Sequence, residues 1–170
     1  ELDSAVDDVL GQIDFQAPDE ATGTDAILVA AGISAISEGD FSASNNATKL
    51  SFKTGASAAA TEKMYITSTG NVNMKNTATT DDTPMVLTLQ TGELDIASAD
   101  VLGQIDFQAP DEGTGTDAIL VAAGIAAVSE GDFSSSNNAT KLSFKTAASG
   151  AAAETASLSS TGVLTATSFT

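Results

Sequence analysis

The chain has 170 residues and a formal net charge of -17, from 23 acidic residues against six lysines. Such an acidic surface repels phosphates, so we expect neither nucleic acid nor an anionic membrane surface as a partner. No apolar run is long enough to span a bilayer. The absence of histidine and cysteine excludes disulfides, thiolate metal sites and the Ser-His and Cys-His nucleophile systems.

One stretch of sequence occurs twice at an offset of 92 residues. Residues 9–54 and 101–146 both begin with VLGQIDFQAPDE and align without a gap. Only four of the 46 aligned pairs differ, namely Ala21/Gly113, Ser34/Ala126, Ile36/Val128 and Ala43/Ser135. Because such similar units must fold alike, the sequence indicates a tandem array.

Three boundaries follow from this repeat. We predict a first β repeat unit at 1–78, a linker with the first arm of the next hairpin at 79–92, and a second β repeat unit at 93–170. Few aromatic residues (5%) and many alanines give each unit little apolar area to bury. Burial is therefore expected from stacking along the array or from other chains.

Short stretches of alternating apolar and polar residues predict strands. Val9–Phe15 and Lys49–Thr54 each place apolar side chains on one face and polar ones on the other. Lys63–Met74 predicts a hairpin with its turn at Ser68-Thr69-Gly70. These elements, separated by turn-forming residues, indicate an all-β architecture.

The stretch Ala26–Ser37 is compatible with a helix or a strand. Its alanine content suits a helix, whereas the alternation of its larger side chains and the central Gly32 favour a strand. We predict a strand.

A second hairpin is predicted at Met85–Ile96, with its turn at Thr91-Gly92. Because residues 1–8 align with residues 93–100, we expect the chain to start at the second arm of such a hairpin. The alternation near Thr170 likewise predicts that the natural chain continues.

Calcium binding is the metal chemistry that the loops allow, since Ca²⁺ takes oxygen ligands from flexible loops. The candidate ligands are acidic residues of one loop in each repeat: Asp19, Glu20, Asp25, Asp111, Glu112 and Asp117. Ordinary solvated loop charge is the alternative and the favoured interpretation. We predict no other cofactor.

Catalysis is not predicted. Paired carboxylates can hydrolyse a glycosidic bond, but the acidic residues fall in predicted turns or on outward strand faces, with little aromatic surface to hold a sugar. Lysines such as Lys49 and Lys53, with their copies Lys141 and Lys145, are interpreted as charges that protect sheet edges.

Several stretches resemble a repeat of phage tail fibres of the marine and cyanobacterial type. They are LGQIDF at 10–15, EGDF at 38–41, SNNATKLSF at 44–52, AATEKM at 59–64, TSTGNV at 67–72 and GVLTATSF at 162–169. The second unit departs from the pattern where Lys63, Met64 and Tyr65 become Thr155, Ala156 and Ser157.

The resemblance implies an elongated, homotrimeric, β-rich fibre shaft in an extracellular virion. It also implies contacts with other virion tail proteins, and a host receptor bound through regions outside this segment. Alanine-rich faces are compatible with close approach of three chains around an axis. A repeat region of a bacterial surface adhesin or extracellular filament is the alternative, and a secreted carbohydrate-active module is a third class.

Overall fold

The computed structural model describes residues 3–17, 23–109 and 115–168. Within these ranges the regular structure is β-strand, and no helix is present that could cross a membrane. The chain divides into two compact units, Glu1–Val86 and Leu87–Thr170, and each contains one five-stranded antiparallel sheet. The predicted all-β class is confirmed.

Each sheet is a meander in which consecutive strands pair. The strands of the first unit are β1 (Val9–Gln16), β2 (Val29–Ser37), β3 (Thr48–Thr54), β4 (Thr61–Ile66) and β5 (Val72–Met74). Those of the second unit are β6 (Val101–Gln108), β7 (Val121–Ser129), β8 (Thr140–Thr146), β9 (Ala153–Leu158) and β10 (Leu164–Ala166).

The alanine-rich stretch forms strand β2, as predicted. It pairs with β1 on one side and β3 on the other, so both neighbours supply backbone hydrogen bonds. Gly32 allows a close approach here: a Cβ at this position would lie 2.9 Å from Oδ1 of Asp14 on the neighbouring strand. Any larger residue would displace that carboxylate.

The strands pair in the same register within each of the two sheets. Ile13 lies opposite Ile33 in the first sheet, and Ile105 lies opposite Ile125 in the second. The first strand of each sheet also has irregularities at equivalent places, including one around Leu10 in β1. Near-identical sequences therefore give the same pairing twice.

The hairpin of β4 and β5 has the turn that the sequence predicts. The Gly70 N–H donates to the Thr67 carbonyl at 2.9 Å, and the Thr67 N–H donates to the Asn71 carbonyl at 3.0 Å. Gly70 has a φ of +84°, in the left-handed region that glycine enters without steric cost.

The predicted hairpin at Met85–Ile96 is wrong. Residues 85–92 form no strand and pair with no neighbouring strand. Leu94 is fully exposed, and the Ile96 carbonyl instead accepts a hydrogen bond from the Phe133 N–H at 2.8 Å. The physical reason is that the leucines of this segment contact a sheet face, as described below, and not a partner strand.

One row of side chains crosses the polar face of the first sheet, from Gln12 through Ser34, Ser51 and Tyr65 to Asn73. Ser34 and Ser51 are at most 2% exposed, and neither hydroxyl has a hydrogen-bond partner among the residues that the structure describes. The second unit has Ala126 in place of Ser34. A buried hydroxyl without a partner destabilises the fold, so this row contributes less to folding stability in the first unit than in the second.

Replacing Ser34 by alanine should therefore stabilise the protein by about 1 kcal/mol, because it removes a buried hydroxyl that makes no hydrogen bond. The reverse change in the second unit, Ala126→Ser, should destabilise it by a similar amount. Chemical unfolding of both variants beside the parent chain measures the two effects. Destabilisation by Ser34→Ala would contradict this account of the row.

Candidate interaction surface

The apolar side chains of each sheet lie together on one side of it, and we call that side the apolar face. In the first sheet one row crosses all five strands: Ile13, Ile33, Phe52, Met64 and Met74. A neighbouring row consists of Gly11, Ala35, Leu50, Ile66 and Val72. Strand alternation places these residues on the side opposite Ser34 and Ser51.

The second sheet repeats this apolar face with smaller residues at one end. Its two rows are Ile105, Ile125, Phe144, Ala156 and Ala166, and Gly103, Ala127, Leu142, Leu158 and Leu164. Alanine stands where the first sheet has Met64 and Met74. The apolar face is therefore preserved, but its side chains are smaller at β9 and β10.

The apolar faces are largely open to solvent. Ile13 is 61% exposed and Phe15 is 54% exposed, and further apolar side chains along both faces are more than one third exposed. Among the described residues, the buried apolar side chains are limited to Ala126 and Val128. The units thus expose the side chains that a globular domain would use as its core.

A single extended segment contacts the apolar face of the second sheet. Leu87 and Leu89 border a shallow groove lined by Leu102, Gly103, Ile105, Ile125, Ala127 and Leu142. A Cβ at Gly103 would lie 2.9 Å from the Cβ of Leu89, so only glycine fits beneath this leucine. The alternation that predicts a hairpin at 85–96 therefore reflects packing onto a face.

The calcium candidates are only partly within the described residues. Asp19, Glu20, Asp111 and Glu112 lie outside the described ranges. Asp25 and Asp117 lie inside them and are held by loop hydroxyls at 2.5 Å (Ser57) and 2.6 Å (Ser149). No group of three or more acidic residues placed to hold a metal occurs in the part of the chain that the structure describes.

These loop hydrogen bonds favour the ionised carboxylate. The pKa of Asp25 is lowered from its ordinary value, first by the Ser57 hydroxyl and then by the backbone N–H of Ala58. The pKa of Asp117 is lowered in the same way by Ser149 and Gly150. Both aspartates therefore connect the loop before a strand to a second loop 32 residues further along the chain.

Glutamates make a similar connection at the other end of each sheet. Glu38 accepts a hydrogen bond from the Ser68 N–H, and Glu130 accepts one from the Ser160 N–H, both at 2.8 Å. Hydrogen bonds from Ser68 and Ser160 lower the pKa of each glutamate. These carboxylates join the turn after the second strand of each sheet to its last hairpin.

The lysines do not protect edges, contrary to the sequence interpretation. Lys49 lies on β3, which has a neighbouring strand on both sides. Its Nζ lies 3.4 Å from Oε2 of Glu62 and 5.2 Å from the centroid of the Tyr65 ring. In the second sheet Lys141 pairs with Glu154 at 2.7 Å. The lysines thus balance charge across the polar faces of the sheets.

No protein-family model matches the chain, and a comparison with curated protein sequences gives no match. Among solved structures, the chain is similar to the carboxy-terminal domain of the bacteriophage T5 L-shaped tail fibre. The identity is 10%, the TM-score is 0.41, and the alignment covers 98% of this chain and 82% of that chain.

A second structure contains the same T5 tail-fibre domain with its intramolecular chaperone domain. Its identity is 12% and its TM-score is again 0.41, with 98% of this chain and 56% of that chain covered. Both similarities are to tail-fibre proteins of a phage, at identities too low to show a family.

Acid should weaken the glutamate connections, which gives a pH-dependent prediction. Because folding lowers the pKa of Glu38 and Glu130 below the ordinary 4.5, their stabilising effect is present above pH 4.5. It is lost as the pH falls through the lowered values. The double variant Glu38→Gln/Glu130→Gln should melt at a lower temperature than the parent at pH 7, and the difference should narrow as the pH falls below 4.5.

Thermal melts between pH 7 and pH 3 measure this difference. Asp81→Asn/Asp82→Asn is the matched control, because it also removes two carboxylates, but from the polar segment between the strands of the two sheets. A gap between parent and double variant that is equally large at pH 3 and pH 7 would contradict the prediction.

Proposed function

We propose that this chain is a shaft segment of a phage tail fibre that supports attachment to the host cell as a homotrimer. The observation that carries the proposal is the exposed apolar face of each sheet. Shaft segments transmit position between the virion and a distal binding tip, so they need extended β-structure and self-association more than a reactive site.

The exposed area supports self-association. The chain exposes 11975 Å², whereas two separate compact domains of half its mass would expose roughly 9,300 Å² by the scaling of monomeric proteins. Covering the exposed half of one leucine, isoleucine or phenylalanine side chain contributes roughly 1 kcal/mol. Several such side chains on each face make association of the faces strongly favourable.

The chemistry of the faces supports packing of copies against one another. Ala31, Ala35 and Gly11 lie among the larger residues of the first apolar face and allow close approach of a second backbone. Polar and charged residues lie on the opposite face, where Lys49 pairs with Glu62. A trimer with its apolar faces turned inward and its polar faces outward satisfies both sides of each sheet.

The sequence resemblance supplies the rest of the proposal. Repeats of this kind in marine and cyanobacterial phages imply a trimeric shaft in an extracellular virion. Other tail proteins would adjoin the shaft, and the host receptor would be bound by regions outside this segment. A shaft of this kind requires no catalysis, cofactor, nucleic acid or membrane insertion.

Light scattering of the purified chain tests the proposal. The expected molar mass is about three times the 16.9 kDa of one chain. The mass should not change when a chelator is added, because the described aspartates of the candidate calcium loop are bonded to serine hydroxyls. A folded monomer would contradict the trimeric shaft.

A further inference from the structure

The apolar face of the first sheet ends in a strip that the described residues leave open. Met64 lies opposite Met74, and Ile66 lies opposite Val72, on the last two strands of the sheet. We call these four residues the methionine strip. Val72 is 56% exposed and Met74 is 44% exposed, although residues 75–86 follow them within the same compact unit. The strip is therefore apolar and open while its chain continues on both sides.

The segment that contains Leu87 and Leu89 shows which part of an apolar face its own chain covers. In the second sheet this segment borders a groove lined by residues of β6, β7 and β8, as far as Leu142. The counterparts of the methionine strip lie beyond this groove, on β9 and β10, where Leu158 and Leu164 are exposed. Cover from the extended segment therefore stops at the middle strand, and the last two strands remain for another partner.

We propose that the methionine strips of three copies pack against one another along the axis of the trimer. The inference rests on the proposed trimeric shaft and specifies which part of each apolar face lies between copies. Unbranched methionine side chains fill irregular gaps, so they suit a contact between identical surfaces. The four side chains of the strip also carry no charge, which favours this contact because chains of net charge -17 repel.

The exposed area is sufficient for such contacts. The chain exposes 11975 Å², roughly 2,700 Å² more than two separate compact domains of half its mass would expose. In a trimer each chain takes part in two interfaces, and an interface of standard size covers roughly 800 Å² of each partner. The excess area is therefore larger than the area that two such interfaces cover.

Peroxide oxidation of the three methionines tests the contact without any substitution. Met85 lies outside the strip and is 51% exposed, close to the 44% of Met74, so the two should oxidise at similar rates in a single chain. In the trimer Met64 and Met74 should oxidise several-fold more slowly than Met85, because neighbouring copies cover them. Peptide mass spectrometry measures each sulfoxide, and light scattering at the same concentration gives the molar mass.

The outcomes separate this inference from the proposed shaft. A trimer in which Met74 oxidises as fast as Met85 would overturn the strip contact and leave the shaft proposal standing. A folded monomer at every concentration would overturn both proposals.

A double variant gives a second test. Met64→Ala/Met74→Ala gives the strip the alanines of the second sheet, where Ala156 and Ala166 pair in the same way, so folding should persist by circular dichroism. Loss of two apolar side chains from the contact should raise the concentration at which half of the chains are trimeric by about tenfold or more. The control Met85→Ala removes the same kind of side chain outside the strip. A double variant that dissociates no more readily than this control would overturn the inference.

Discussion

A five-stranded meander has two faces, and a second layer of structure is needed to remove both from water. In each unit the polar face carries small side chains and one lysine–glutamate ion pair, whereas the described residues cover the apolar face at most with one extended segment. Apolar burial is the main favourable term in folding. The stability of these sheets therefore depends on what covers their apolar faces.

The loop carboxylates have a complementary role. Asp25 and Glu38 each accept hydrogen bonds from a loop about 30 residues further along the chain, and their copies do the same. These bonds fix the ends of the meander without adding apolar burial. A thin sheet whose loops are held at both ends by these hydrogen bonds can present its apolar face to another copy.

Much of this fold follows from the sequence. Strands β1 and β3 alternate apolar and polar residues, and that alternation assigns each side chain to a face before any pairing is known. The turn at Gly70 was equally predictable, because Ser68-Thr69-Gly70 separates two alternating stretches and glycine readily adopts the positive φ that Gly70 has. The near-identical repeat of 9–54 at 101–146 then gave the same assignments for β6, β7 and β8 of the second sheet.

Other features were not predictable by the same reasoning. The alternation at Leu87 and Leu89 is the same whether leucines face a partner strand or a sheet, so the hairpin prediction failed. The partnership of Asp25 with Ser57 joins distant positions, and no local pattern marks it. Gly103 did carry a signal, since glycine within a strand often marks close approach of another backbone, and Leu89 lies directly over it.

The central claim is that copies of the chain cover one another's apolar faces. A direct test adds two charges to those faces, with Ile13→Glu and Ile105→Glu, and compares the mass in solution with that of a matched variant. The matched variant carries Asn73→Glu and Thr165→Glu, which add the same charge at exposed positions on the polar faces of the two sheets. The account predicts monomers for the first variant and the parent's oligomeric mass for the second. Equal masses for the two variants would contradict it.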